Sequence, residues 1–190
     1  MGQVVKRVLD VVAALAGLVI LAPVFVVVAL VIKFSSRGPV IFKQQRVGRG
    51  GRVFTFYKFR TMKTGVDPFG QSPRSGDDPR LIRCGRFLRE YSLDELPQLV
   101  NILKGDMSFV GPRPLYASQI AEMSDYHKRR IEVRPGLTGL SQVHLRSDLT
   151  DKPSLDLEVQ YVEKQSLWLD LKIILLTLGV VIRKKGVYEK

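Results

Sequence analysis

Ser92-Leu93-Asp94-Glu95-Leu96-Pro97-Gln98-Leu99 places two adjacent carboxylates at the head of a short apolar periodicity formed by Leu96, Leu99, Val100 and Leu103. That i, i+3, i+4, i+7 spacing predicts a core-packed helix starting near Asp94 and stopping at Gly105. Neighbouring helical residues point about 100° apart, so Asp94 and Glu95 are not a facing pair of the glycoside-cleaving kind. One of them could act as a nucleophile or magnesium ligand while the other holds or deprotonates something beside it. A structural role competes with that chemistry. Ser92 with Glu95 makes a capping-box pattern, and acids at a helix N-terminus are stabilised there in any case.

Two further segments carry unusual residues. Gly105-Asp106-Met107-Ser108-Phe109-Val110-Gly111-Pro112-Arg113-Pro114 sets two prolines around one arginine, which restricts its backbone and therefore where the guanidinium can reach. Arg134-Pro135-Gly136-Leu137-Thr138-Gly139-Leu140-Ser141-Gln142-Val143 reads as a third such loop. His127 and His144 have no metal-ligand company, so no zinc site is expected, and the sequence supports no Ser–His–Asp arrangement. Arg80, Arg83, Arg86 and Arg89 recur every third residue after Asp78-Pro79, a pair that reads as an N-cap and a first helical residue. The helix so predicted bears a basic stripe, mostly solvated or lipid-facing, with at least one arginine suited to a substrate phosphate.

These groups need elements to hold them. Pro39 to Arg60 reads as strand, turn and strand, with Gly48, Gly50 and Gly51 at the turn and Val53 to Tyr57 rich in aromatic and β-branched residues. No phosphate-loop pattern accompanies those glycines. Residues 64–78 read as a loop, Tyr116 to Ile131 as a helix, and Leu167 to Lys185 as another whose apolar stretch is too short to span a bilayer. Val11 to Ile32 carries no charge, and about 20 apolar residues suffice for a spanning helix. A cleaved signal peptide fits poorly, because its apolar region would end sooner. Pro23 near the middle and basic residues on both flanks suit a helix that enters one leaflet and returns; a kinked spanning helix remains the alternative.

The 190 residues carry a net charge of +12, and 45% of them are apolar, which excludes a disordered chain and points to a polyanionic partner: nucleic acid, anionic lipid or a phosphate-bearing substrate. Between Asp10 and Asp67 there is no acid, while Lys33, Arg37, Lys43, Arg46, Arg49, Arg52, Lys58, Arg60 and Lys63 all fall there. Such a block beside an apolar run marks the cytoplasmic face of a membrane. The single cysteine, Cys84, excludes an internal disulfide framework.

Taken together, the segments resemble the bacterial sugar transferase family, the small monotopic polyprenyl-phosphate phosphoglycosyl transferases. The resemblance rests on Lys6-Arg7-x-x-Asp10, Gln44-x-Arg46-x-Gly48, Tyr57-Lys58-Phe59-Arg60-Thr61-Met62, Ser92 to Leu99, Lys104 to Pro114 and Arg134 to Val143, in that order along nearly the whole chain. It implies that Asp94 attacks the sugar-linked phosphorus of a UDP-sugar and releases UMP, after which a lipid phosphate takes the phosphosugar from the carboxylate. It implies Glu95 as the acidic partner, Mg2+ bound near Asp94, and phosphate contacts from Lys58, Arg89, Arg113 and Arg146. It further implies a re-entrant helix in the inner leaflet, broken at a Ser-Pro pair that here reads Ala22-Pro23.

The expected architecture is α+β and helix-dominated: a re-entrant membrane helix over residues 1–36, then a cytoplasmic catalytic domain over residues 37–190 with a small β-hairpin and interfacial amphipathic helices. The expected partners are a UDP-sugar, polyprenyl (undecaprenyl) phosphate and membrane lipids at the cytoplasmic face of a bacterial inner membrane. A homodimer is left open and nucleic acid is not expected. The chain departs from the family pattern at Ala22, at His144-Leu145 before Arg146-Ser147, and at Glu158 where aspartate is usual; the last two bear on which sugar is chosen. Two rival readings are a non-catalytic membrane-anchored basic module binding anionic lipid or nucleic acid, and a scaffold for other glycan enzymes.

Overall fold

A computed structural model describes residues 2–67, 70, 73, 75–145 and 151–183. The chain opens with α1 (Gly2–Ile20) and α2 (Ala22–Ser35), bent by 61° at Leu21. Pro23 stands in the first turn of α2, where its missing N–H costs no intrahelical bond. Leu21 N still donates to Gly17 O and Phe25 N to Leu21 O, both at 2.9 Å, so the break is a sharp hinge between two complete helices. Among the described residues no single helix is long and apolar enough to cross a membrane; the bent pair passes that test only together.

The predicted hairpin forms as β1 (Ile41–Val47) and β2 (Val53–Phe59), antiparallel, with Ile41 opposite Phe59 and Val47 opposite Val53. Gly50 and Gly51 turn it with φ of 65° and 82°, which a side chain would resist. Phe54 and Phe56 alternate into a core shared with Ala14 of α1 and with Leu99 and Ile102 of α4 (Gln98–Lys104). Asn101 on α4 locks the free edge of β2: its Oδ1 accepts from Tyr57 N at 3.1 Å and its Nδ2 donates to Thr55 O at 2.7 Å. A strand edge is thereby satisfied by one side chain, and α4 is fixed against β2 at Thr55 and Tyr57.

Between them lie α3 (Gly85–Glu90) and a 3-10 turn at Leu93–Glu95. The core-packed helix predicted from Asp94 therefore begins at Gln98. Pro97 cannot donate to a preceding carbonyl, so it divides the 3-10 turn from α4, and Gly105 ends α4 in a left-handed conformation as expected. The capping box is not formed either. Ser92 has φ 54° and makes no side-chain cap, the one non-glycine with positive φ among the described residues.

The helix expected from Pro79 also shrinks. Ile82 N donates to Thr61 O and Lys63 N to Arg80 O, so residues 80–82 are pinned to residues 61–63 by backbone pairing and only Gly85–Glu90 winds up as helix. The three-residue arginine spacing therefore makes no stripe: Arg80 pairs with Asp78 at 2.7 Å and Arg86 with Glu90 at 2.8 Å.

Beyond α4, β3 (Ser108–Val110) runs parallel to β4 (Gly136–Thr138). The helix expected over Tyr116–Ile131 is instead α5 (Ala117–Ala121), α6 (Asp125–Lys128) and a 3-10 turn at Arg129–Glu132. Ser124 caps α6 and so breaks the run, its hydroxyl accepting from His127 N. Then follow α7 (Leu140–His144), α8 (Lys152–Lys164) and α9 (Leu167–Ile182). Val110, Val133, Tyr161 and Ile173 form the core of this half. The result is a helix-dominated α+β fold with two small sheets.

The basic N-terminus is used inside the protein. Lys6 pairs with Asp170 on α9 at 2.5 Å, and Arg7 donates to Ile102 O and Leu103 O at 2.6 and 3.0 Å. Arg134 adds a bond to Gly105 O at 3.0 Å, so two guanidinium groups cover the negative end of α4. Asp10 accepts from Phe109 N at 3.2 Å. Arg60 is likewise buried, tying the exit of α2 at Ser36 and Pro39. Arg60 belongs to the basic block read as marking a membrane face, and Lys6 and Arg7 to the basic flank of the apolar run; all three have protein partners.

Candidate active site

Lys58 continues the inward face of β2 after Phe54 and Phe56, because strand residues two apart share a face. Its Nζ lies 2.6 Å from Glu95 Oε1 and 3.6 Å from Asp94 Oδ2. Arg113, on the loop leaving β3, brings Nη1 to 3.7 Å from Glu95 Oε1. Arg89 on α3 is half-buried, and its charge acts on both carboxylates. Four chain segments thus converge: β2, α3, the 3-10 turn and the proline-flanked loop. Arg146, the remaining expected phosphate contact, lies outside the described residues.

The 3-10 turn decides which carboxylate is buried. It follows Ser92, whose left-handed backbone is a strain usually kept where geometry must be held. The Asp94 side chain is left 9% exposed and the Glu95 side chain 20%. Burial raises the Asp94 pKa above the usual carboxylate value; Lys58 draws it back, Glu95 pushes it further, and Arg89 and Arg113 oppose the rise. For Glu95 burial is again the largest influence and acts upward. Lys58, Arg113 and Arg89 together outweigh it, so Glu95 ends below its ordinary value. The pair is therefore unequal: Glu95 is the anchored anion of Lys58, and Asp94 the less neutralised acid beside it.

Two carboxylates face three cations here, an arrangement suited to an anion that brings charges of its own. Among the described residues no three His, Cys, Asp or Glu side chains gather to hold a metal on protein ligands alone. Magnesium does not require such a set, since it commonly takes one or two carboxylates and completes its shell from phosphates and water. Asp94 offers the oxygen for that, because Glu95 Oε1 is already bound by Lys58. The donor set fits a substrate-completed magnesium ion.

Arg46 belongs to this neighbourhood; the sequence marked it as part of the Gln44-x-Arg46-x-Gly48 motif without giving it a site role. Its guanidinium lies 3.6 Å from the Tyr116 ring centroid and its Nη1 donates to Pro114 O at 3.3 Å. Burial lowers its pKa to about 10, and the Arg113 charge contributes in the same direction. Gln44 and Arg46 share a strand face, as the two-residue spacing of that motif implies, and Arg46 Nη2 donates to Gln44 Oε1 at 2.8 Å. Of the departures from the family pattern, Ala22 is exposed at the hinge and Glu158 is buried against Arg130 at 2.5 Å. His144 and Leu145 stand at the end of α7, His144 Nδ1 being 2.9 Å from Leu140 O. A Ser124–His127–Asp156 line does form, at 3.1 and 2.8 Å. Ser124 Oγ also accepts from His127 N as the cap of α6, so the line joins α6 to α8 rather than presenting a free hydroxyl.

Residues 1–184 match the family described as bacterial sugar transferase. The galactosyl transferase CpsE of Streptococcus agalactiae serotype III (strain NEM316) is 42% identical over 195 residues, which cover 96% of this chain but only 43% of the relative. The uncharacterized sugar transferase EpsL of Bacillus subtilis (strain 168) is 40% identical over 98% of this chain and 92% of its own length. A UDP-glucose:undecaprenyl-phosphate glucose-1-phosphate transferase of Caulobacter vibrioides (strain ATCC 19089 / CIP 103742 / CB 15) is 42% identical over 96% of this chain and 72% of the relative. The chain therefore spans nearly all of the Bacillus relative and less than half of the streptococcal one.

Proposed function

The chain belongs to the bacterial sugar transferase family, and from that membership we propose that it moves a sugar-1-phosphate from a UDP-sugar to polyprenyl phosphate and releases UMP. The observation that carries this reading is Asp94: a buried carboxylate set beside Glu95 and three cations, Lys58, Arg89 and Arg113. The relatives named for galactosyl transfer and for glucose-1-phosphate transfer to undecaprenyl phosphate support the same class of reaction.

Phosphoryl transfer needs positioning and charge stabilisation more than covalent help. Lys58, Arg89 and Arg113 bind the diphosphate and neutralise charge as it moves to the leaving UMP oxygen. An ionised Asp94 needs no separate base: its oxygen bonds to the sugar-linked phosphorus as the bond to UMP breaks. Glu95 holds Lys58 in place. Bound magnesium, held at Asp94, would supply further offset of the diphosphate charge. The lipid phosphate then attacks the same phosphorus and frees Asp94. Purified protein given a UDP-sugar and no lipid should release UMP up to about one equivalent per enzyme, the burst expected of a covalent intermediate. UMP appearing only when both substrates are present would overturn the two-step route.

We propose that residues 1–36 form a re-entrant membrane segment and that residues 37–190 work at the cytoplasmic face. The hinge at Leu21 and wide exposed apolar faces support this; Phe34 is 86% and Ile182 77% exposed. Cysteines placed at the N-terminus and at Arg37 should both resist labelling from outside the cell. Labelling near Met1 alone would make the segment a spanning one.

A further inference from the structure

The backbone between Gly111 and Leu115 has one amide donor, because Pro112 and Pro114 have none. That donor, Arg113 N, is bound by the carboxylate Glu158 Oε1 at 3.0 Å. The four carbonyls that follow Gly111 are all taken as well. Pro112 O accepts from Gly136 N at 2.9 Å, Arg113 O from Arg130 Nη2 at 2.5 Å, Pro114 O from Arg46 Nη1 at 3.3 Å, and Leu115 O from Val47 N at 2.9 Å. Arg113 is the residue whose amide and carbonyl are both gripped by charged side chains, and those two side chains grip each other: Arg130 Nε lies 2.6 Å from Glu158 Oε2. Ser141 Oγ donates to Glu158 Oε1 at 3.2 Å and completes the carboxylate's shell.

Arg130 is 3% exposed and Glu158 1%, so neither can touch a substrate. A buried ion pair is a poor way to stabilise a core, since its desolvation offsets most of its attraction and apolar residues of similar volume often serve better. Such a pair is best explained by what it specifies, and here it specifies the backbone of one arginine.

We propose that Arg130 and Glu158 are positioning residues that act through Arg113, clamping its backbone from both sides so that the guanidinium meets the substrate diphosphate beside Glu95. The proposal rests on the phosphate-binding role given to Arg113 above. Arginine is required at 130 because its fork reaches the Glu158 carboxylate and Arg113 O together, which a single ammonium cannot do. Displacing a charged group by about 1 Å can lower turnover up to on the order of a hundredfold.

The test is a double-mutant cycle on kcat/KM for UMP release, with UDP affinity by equilibrium dialysis as a second readout where turnover falls below detection. Arg130→Lys should lower kcat/KM at least about tenfold in the native background while thermal unfolding remains cooperative. In an Arg113→Ala background the same change should alter kcat/KM, or UDP affinity, less than about twofold, because the group it positions is gone. Equal losses in both backgrounds would make the pair an ordinary core element and overturn the clamp while leaving the transfer reaction intact. An Arg113→Ala enzyme as active as the native one would overturn the role of Arg113, and absence of UMP release by the native enzyme would overturn the transfer reading; either takes the clamp with it. If Arg130→Lys does not fold, the cycle is run with Glu158→Asp, which keeps the buried charge and shortens its reach to Arg113 N; the same additivity criterion applies.

Discussion

Two lysine–carboxylate centres in this protein have nearly the same ingredients. In one, Lys6 meets Asp170 at 2.5 Å, and Tyr161 Oη lies 2.7 Å from the other carboxylate oxygen. In the other, Lys58 meets Glu95 at 2.6 Å and reaches Asp94 at 3.6 Å. The first closes on itself: one cation, one anion, and a phenol whose pKa is pushed well above its usual value, first by burial and then by Asp170, so it stays a neutral hydroxyl. It joins α1 to α9 and asks for nothing more. The second is open. It has a second acid with a raised pKa, and three cations face its two carboxylates, Arg113 standing 3.7 Å from Glu95. A balanced centre holds elements together, whereas an unbalanced one is ready for a charged visitor.

Asp94→Asn should break the open centre most severely. Turnover should disappear and no radiolabelled phosphosugar should remain on denatured protein, while the fold persists. Stability should rise, and the sign follows from linkage. A carboxyl whose folded pKa is raised favours the native state while protonated; that contribution is full below the unfolded pKa and is lost as pH climbs to the folded one. Above that folded pKa the native protein therefore carries an unfavourable ionised Asp94 that the amide removes. Thermal melts of both proteins across pH check this: the advantage of Asp94→Asn should grow as pH rises, and an advantage that shrinks with rising pH would contradict it.

Arg113→Ala comes next. One charge-assisted contact is worth roughly 1.5–3 kcal/mol, or about ten- to a hundredfold in kcat/KM. Arg49, exposed in the hairpin turn with its Nε on Glu132 O, is the control and should change activity less than twofold or so when replaced by alanine. Equal losses would erase the distinction between site and solvated charge.

Lys58→Met should move a pH profile as well as lower a rate. Lys58 lowers the pKa of Asp94, so its removal leaves burial and Glu95 less opposed. The acid limb of UMP release should shift to higher pH, and an unmoved limb would mean that Asp94 does not titrate in the rate. Lys6→Met should act on the closed centre alone. Leaving buried Asp170 without its cation costs about 3–5 kcal/mol of stability, with kcat/KM of the folded enzyme unchanged. A loss of activity without loss of stability would couple the two centres.

Local pattern made much of the molecule legible before any fold was known. Pro23 marked the hinge, Gly50 and Gly51 marked the turn, and the apolar spacing of Leu96 to Leu103 marked α4. Local pattern also misled. The arginine period after Asp78 is a good helical signal, but backbone pairing with residues 61–63 won over it. The capping box at Ser92 satisfied its motif and failed in space, because Pro97 prevents the helix it would cap from starting there. Lys6 and Arg7 were legible only as the basic flank of the apolar run, because sequence cannot show that Asp170 and the carbonyl end of α4 lie beside them.

The sequence by itself determined the family resemblance, the candidate carboxylates and arginines, and the order of strands and hinge, all of which depend on residues close in the chain. Only the tertiary structure decided that Glu95 rather than Asp94 is the close partner of Lys58, and that Arg130 and Glu158 converge on the backbone of Arg113. The physical reason is separation: Lys58 and Glu95 are 37 residues apart, and Arg113 and Glu158 are 45. Periodicity reports contacts a turn or a strand pair away, while burial, which sets the pKa of Asp94, is a property of everything packed around it.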